Sequence, residues 1–245
     1  MLHFLDLLYY FVMAILTLGF YFVVKKKTMV VKKMVVIAMI LTGLGTITLI
    51  LTEHRLPLYG AFEASFYLIF VLTLLEIFFW KNQSPCIHLK SCGVTLLYCF
   101  CLLLYHIMQP KEFNPDFFMY GNPWVNLFFN LRLTAAAIFS RTALLYQMGI
   151  WGERSKQTIL FSHARTVLLW GLVVFLCSEW AGSWWCLNWL GDSWQWSKGF
   201  FKAAIVFMLV MLTCHLPPSL MRKSWIKGMT GSLPALFLMW TIFYH

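Results

Sequence analysis

Charge is scarce in this chain, and acid scarcer still. Asp, Glu, Lys and Arg together make up 11% of the residues and only 9 are acidic, whereas a soluble domain carries about 25% charged residues. A water-soluble globular domain is therefore excluded. Missing too are a Pro/Gly/Ser-rich linker, a low-complexity tract and a convincing internal repeat, so residues 1–245 read as one polytopic domain. No ten-residue alternating pattern points to a membrane β-barrel. Seven cysteines, an odd number placed mostly within or beside apolar runs, give no disulfide framework. The first apolar run lacks a basic segment ahead of it, and its lysines follow it, so it reads as a retained helix and not a cleaved leader.

What fills the chain instead is apolar. It is 61% hydrophobic with a mean hydropathy of +0.75. Apolar runs near the length that crosses a hydrocarbon core of about 30 Å lie at 2–24, 34–51, 58–80, 94–108, 124–150, 166–184, 200–215 and 229–245. The backbone must satisfy its own hydrogen bonds in lipid. The expected fold is all-α: a membrane helix bundle of about eight spans.

A net charge of +10 would point to nucleic acid in a soluble protein, but the placement of the charges argues otherwise, and no nucleic-acid partner is expected. With the amino terminus outside, the inner loops hold Lys25, Lys26, Lys27, Lys32, Lys33, Lys81, Lys90, Arg154, Lys156, Arg165, Arg222, Lys223 and Lys227. The outer side holds only Arg55, Lys111, Lys198 and Lys202. The positive-inside rule then puts both termini on the extracytoplasmic side. An integral protein of a bacterial inner (cytoplasmic) membrane or an organellar membrane is expected.

Ionisable groups at membrane depth are costly enough to be functional candidates. Here they are Glu63, Arg132 and Arg141, with Glu76, Glu179, His106 and His215 near the boundaries. Arg132 is suited by its forked donors either to pair with Glu63 or to receive a carboxylate such as a haem propionate. Cys86, His88 and Cys92 share a predicted inner loop, but ligands so few and loosely spaced make a poor zinc site.

Six of the twelve tryptophans crowd into EWAGSWWCLNWLGDSWQW, between Trp180 and Trp196, read as an outward loop between two spans. Tryptophan anchors membrane interfaces, yet six in one short stretch exceeds what anchoring requires. A flat, uncharged aromatic surface suits a large planar ligand such as haem. His215 ends the seventh run in MLTCHLPP. Taken alone a boundary histidine is more often interfacial, but its imidazole is also a haem-iron ligand.

Together these segments resemble the cytochrome c assembly proteins of the CcsA/CcmC type, whose tryptophan-rich "WWD" segment reads WGSYWSWDPKETW in the CcsA branch and leads into a helix ending LHTR. LGDSWQWSKGFFK matches it at Gly191, Trp194 and Trp196 and places His215 on the histidine of LHTR. HARTVLLWG is similar to LSYRTIGIG at Arg165 and Thr166. EHRLPLYGAFEASFYLIF is similar to GHFPLSNLYESLMFL at His54, Pro57, Leu58 and Glu63. PWVNLFFNLRLTAAAIFSRTALLYQM resembles WLMIHVSMMILSYAAF followed by ALLYL. The resemblance spans about residues 53–228, in one order.

What the resemblance implies is a haem-handling subunit that moves haem to the outer membrane face and presents it to apocytochrome c, as a component of a cytochrome c haem synthase with a CcsB-like membrane partner. Haem b would be held by Trp184, Trp185, Trp189, Gly191, Asp192, Trp194, Trp196, His54 and Arg132, with His215 on the iron at an inner site. Attachment would use the thiols of the apocytochrome, this chain orienting haem without supplying a nucleophile. The departures are specific. The family's outer histidine of WLMIHV falls on Phe128, the sequence stops at His245 before the position of the second, and the acid of WWD falls on Ser197 beside Asp192. His54, His106 and His245, all at outer helix ends in this topology, are candidate replacements. A second reading, a HemX-like regulator or scaffold in haem metabolism, keeps the frame without the haem chemistry. A small-solute transporter would carry inverted repeats and broken helices, and neither is present.

Overall fold

The computed structural model describes residues 2–54, 56, 61–82, 85–108, 121–152, 154–191 and 198–243. Among them there is no strand. The helices are α1 (Leu2–Val24), α2 (Thr28–Glu53), α3 (Ala61–Phe78), α4 (Pro85–Ile107), α5 (Pro123–Trp151), α6 (Arg154–Leu190), α7 (Lys198–Cys214), the four-residue α8 (Pro218–Met221) and α9 (Ser224–Phe243), with a 3-10 turn at Phe79–Asn82 after α3. Five of them, α1, α2, α4, α6 and α9, are long and apolar enough to cross a membrane. The all-helical, membrane-compatible reading of the sequence holds.

The helices gather into two compact units, Met1–Asn114 and Pro115–His245. In the first, α1 packs on α2 and α4, and α3 packs on the same two helices, closing a ring of four. Val12, Leu16, Val35, Ala38, Phe66 and Leu96 fill its centre. Hydroxyls inside this apolar packing turn back on their own helix: Thr42 donates to the Ala38 carbonyl at 2.8 Å, Thr46 to Thr42 at 2.9 Å and Thr73 to Ile69 at 2.8 Å. Among the described residues of this unit no buried hydroxyl lacks a partner, and the helices stay unbroken. Opposite faces are bare and apolar. Leu7, Phe11 and Leu18 of α1, and Ile40, Leu44, Ile47 and Leu51 of α2, are exposed at helical spacing. That pattern is inside-out for water and right for lipid.

In the second unit α5 packs chiefly on α6 and α9, and α7 packs on α9. The close approach comes from glycine. A Cβ added at Gly171 would lie 2.7 Å from the Phe139 ring and one at Gly182 2.8 Å from the Phe128 ring, so two phenylalanines of α5 sit in notches on α6. At the α5–α9 contact, Cβ atoms at Gly228 and Gly231 would meet Ile150 at 1.9 Å and Tyr146 at 2.3 Å. Small residues at helix contacts are how bundles in lipid gain van der Waals packing. Pro234, inside α9, has no N–H for the carbonyl of Thr230. Thr213 of α7 donates to that carbonyl at 2.9 Å, so the proline's missing donor becomes the polar tie between α7 and α9.

Helix ends depart most from the hydropathy runs. α4 begins at Pro85, nine residues ahead of the run at 94–108, and α6 extends from Arg154 to Leu190, well beyond 166–184 at both ends. An apolar run stops where polar side chains enter, but Lys, Arg, Gln and Glu form helix readily. What stops α6 is Gly191. Its φ of +69° is the left-handed conformation glycine adopts at no steric cost, and its N–H closes on the Leu187 carbonyl at 3.2 Å.

Candidate functional site

α5 and α6 run antiparallel: Trp124 meets Trp180 and Trp184, Phe139 meets Phe175, and Tyr146 meets Phe161. The start of α5 and the end of α6 therefore share one end of the second unit. Asn122 caps α5 there, its Oδ1 accepting the Trp124 N–H at 2.9 Å, and this holds Trp124 against α6.

The expected tryptophan loop is largely helix. Trp180, Trp184, Trp185 and Trp189 all belong to α6, while Asp192, Trp194 and Trp196 lie outside the described residues, as does His245. Four- and five-residue spacing sorts the ring set into two faces. Trp180 and Trp184 form the outer one: Trp124 stacks on Trp184 with centroids 5.9 Å apart and planes at 21°, and Trp180 stands edge-on to both. Their exposure is 57% for Trp180, 42% for Trp184 and 50% for Trp189. An open hollow of about 460 Å³ lies between Trp124, Trp189, Asn188 and Gly121. Trp185 turns the other way, toward Phe128 and Phe129 at 6.0 and 6.4 Å.

Beneath this surface lies an ion pair. Arg132 Nη2 donates to Glu179 Oε1 at 2.9 Å, with the two side chains only 7% and 16% exposed, and the guanidinium lies 4.7 Å from the Phe128 ring centroid. Arg132 pairs with Glu179, 47 residues further along the chain; Glu63 is buried in the first unit. Among the described residues, Arg132 Nε and the Trp185 indole N–H are buried donors with no acceptor, and both flank Phe128. Phe128 itself is a packed core residue, 2% exposed, seated over Gly182.

The remaining candidates are dispersed. His215 follows α7 at the far end of the unit; Phe161 and Trp184 are 23 residues apart on α6, about 35 Å by helical rise. The residue before His215, Cys214, lines a cavity with Phe161. His215 is exposed, and its Nδ1 faces the Met211 carbonyl at 3.0 Å. With Nδ1 on that carbonyl, Nε2 is the ring nitrogen that faces away from α7's own backbone. His54 caps α2 in the left-handed conformation, φ 53°, on the exposed surface of the first unit. His106 is buried there, stacked on Tyr9 at 4.9 Å, with the Tyr9 hydroxyl donating to the Leu103 carbonyl. Gly191 serves the backbone, and no described residue comes within 4 Å of where its Cβ would be.

One polar cluster was not foreseen in this form. His88 and Cys92 lie one turn apart on α4, not in a loop, and reach Glu76 of α3. Ser91 and Thr95 each donate to the Glu76 carboxylate at 2.8 Å; Cys92 Sγ lies 3.5 Å from Glu76 Oε1 and 3.1 Å from His88 Nδ1. All are buried. The trio could hold a metal ion, but it supplies three of the four ligands that a closed zinc site uses, and its hydroxyls already satisfy the carboxylate. The helical spacing of His88, Ser91, Cys92 and Thr95 was the signal in the sequence.

No protein-family model matches the chain, and no curated protein matches it in sequence.

Proposed function

We propose that this protein is a haem-handling membrane subunit of cytochrome c biogenesis, presenting haem at the outer membrane face for attachment to apocytochrome c alongside a CcsB-like partner. The observation that carries the reading is the tryptophan surface at the end of α6: Trp180, Trp184 and Trp189 stay roughly half exposed although rings of that size are strongly favoured to be covered. A porphyrin offers a flat apolar face for them to cover. The ordered resemblance from 53 to 228 supports the same reading. So do the unmet donors of Arg132 and Trp185, since haem brings two carboxylates.

In this proposal all eight long helices span the membrane, with both termini outward and the lysine-rich turns inward, in a bacterial inner or an organellar membrane. Haem, as substrate, meets the tryptophan end on the outside. His215, at the opposite end of the unit, offers Nε2 to iron on the inside, too far away to serve the same haem. The chain's own work is to orient the macrocycle and shield its faces, while the thiols that form thioethers belong to the apocytochrome.

One observation favours a second reading, a HemX-like scaffold. Phe128 fills a notch on α6 as core, so the residue that would ligate outer haem is given over to packing. Purification from native membranes separates the two. A Soret band that weakens in Trp184→Ala, with lower cytochrome c levels in cells carrying His215→Ala, supports haem handling. Wild-type protein without haem, and normal cytochrome c in the variant, leaves the scaffold.

A further inference from the structure

The far end of the second unit holds a cavity of about 400 Å³ whose polar lining is rich in donors and, among the described residues, free of carboxylates. Arg165 of α6, Arg222 of the turn before α9 and Lys227 of α9 converge on it. Thr158 and Ser162 stand with Arg165 at the four- and seven-residue spacing of one helix face. Ser224, the first residue of α9, and Lys227 place that helix's N-terminal turn at the wall, where the backbone N–H groups add partial positive charge.

The positive-inside bias accounts for the sign of these residues but not for their meeting. Basic side chains that only set topology gain by spreading apart in water, since like charges brought together around one hollow repel one another. Here two arginines and a lysine share one hollow, with no carboxylate among its described lining residues. Lys227 is also held in place, its ammonium 5.2 Å from the Phe161 ring centroid. We infer that this cavity binds a phosphate group. A tetrahedral oxyanion accepts from two guanidinium forks and an ammonium at once, and basic pockets between helices near a membrane surface are where anionic lipid headgroups lodge. The shared chemistry is the phosphate, from either a phospholipid headgroup or a soluble phosphate. The inference stands apart from haem handling and does not rest on it.

The full chain, purified in a neutral detergent, is titrated with dihexanoyl phosphatidylglycerol, dihexanoyl phosphatidylcholine and inorganic phosphate, reading the thermal unfolding midpoint. Saturable stabilisation by phosphatidylglycerol, inorganic phosphate or both, with phosphatidylcholine about tenfold weaker or worse, is the expected result. A response to the lipid alone identifies a headgroup as the source, and a response to inorganic phosphate of equal strength identifies a soluble one. Arg165→Gln/Arg222→Gln/Lys227→Gln should weaken either by about tenfold or more, and raised salt should weaken it further. Should that variant fail to fold, Arg222→Gln alone, in an exposed turn, should weaken binding about threefold. Equal binding of the two lipids, no saturable response to any probe, or unchanged binding by the folded variant would overturn the site.

Discussion

The two units bury charge in opposite ways. In the first, the Glu76 carboxylate is wrapped by the Ser91 and Thr95 hydroxyls and the Cys92 thiol, and the Thr42, Thr46 and Thr73 hydroxyls fold back onto their own helices. In the second, Arg132 of α5 and Glu179 of α6 neutralise each other. Donor wrapping can be built within one helix pair at close sequence range. An ion pair ties segments far apart in the chain. The ion pair therefore fixes how α5 and α6 meet, and the same unit leaves three tryptophans, Trp180, Trp184 and Trp189, open at its end. Rigid support below and exposed rings above is the arrangement expected of a surface that receives a planar ligand.

The contrast can be broken in graded steps. The largest effect is expected from Glu179→Ala, which strands Arg132 as a buried, uncompensated charge. Removing one partner of a buried pair costs about 3 to 5 kcal/mol, and the partial exposure of Glu179 puts this one near the lower figure. Arg132→Met/Glu179→Leu should recover most of the loss in thermal unfolding of the purified protein; a double variant no more stable than the single would show that the charge was not the cause.

Next in size is Gly231→Ala. Its methyl would stand 2.3 Å from the Tyr146 ring, and overpacking of this kind costs about 1 to 3 kcal/mol. A variant as stable as the wild type would mean that α9 can shift, and that the second unit is no more rigid than the first. Ser91→Ala should cost less, about 1 to 2 kcal/mol, because Thr95 continues to donate to Glu76. A loss as large as that of Glu179→Ala would erase the difference between the units. Smallest is Trp184→Ala, below about 1 kcal/mol in stability, since the ring is 42% exposed and surface changes have small effects. Its consequence should appear in haem binding instead.

Much of this frame was legible in the sequence because lipid demands long apolar helices, and α1 matches its hydropathy run from Leu2 to Val24. The extent of α6 was not. Trp180 to Trp189 read as loop because Glu179, Asn188 and small residues interrupt the apolar pattern, yet none of them breaks a helix, and only Gly191 does. Arg132 and Glu179 were each visible as costly residues, but their pairing depends on the antiparallel register of α5 and α6, which no local pattern encodes. The tie from Thr213 to the carbonyl freed by Pro234 is hidden for the same reason: the proline announces an orphan carbonyl without saying which helix answers it. Phe128 reads equally well as lost ligand or as core until Gly182 is seen beneath it.

The most direct measurement is a haem titration of the purified protein, following tryptophan fluorescence quenching and the Soret band together. Saturable quenching is expected, with affinity falling at least about tenfold in Trp180→Leu/Trp184→Leu/Trp189→Leu, while its unfolding midpoint stays close to that of the wild type. Undiminished affinity in that folded triple variant would contradict the assignment of the tryptophan surface to haem.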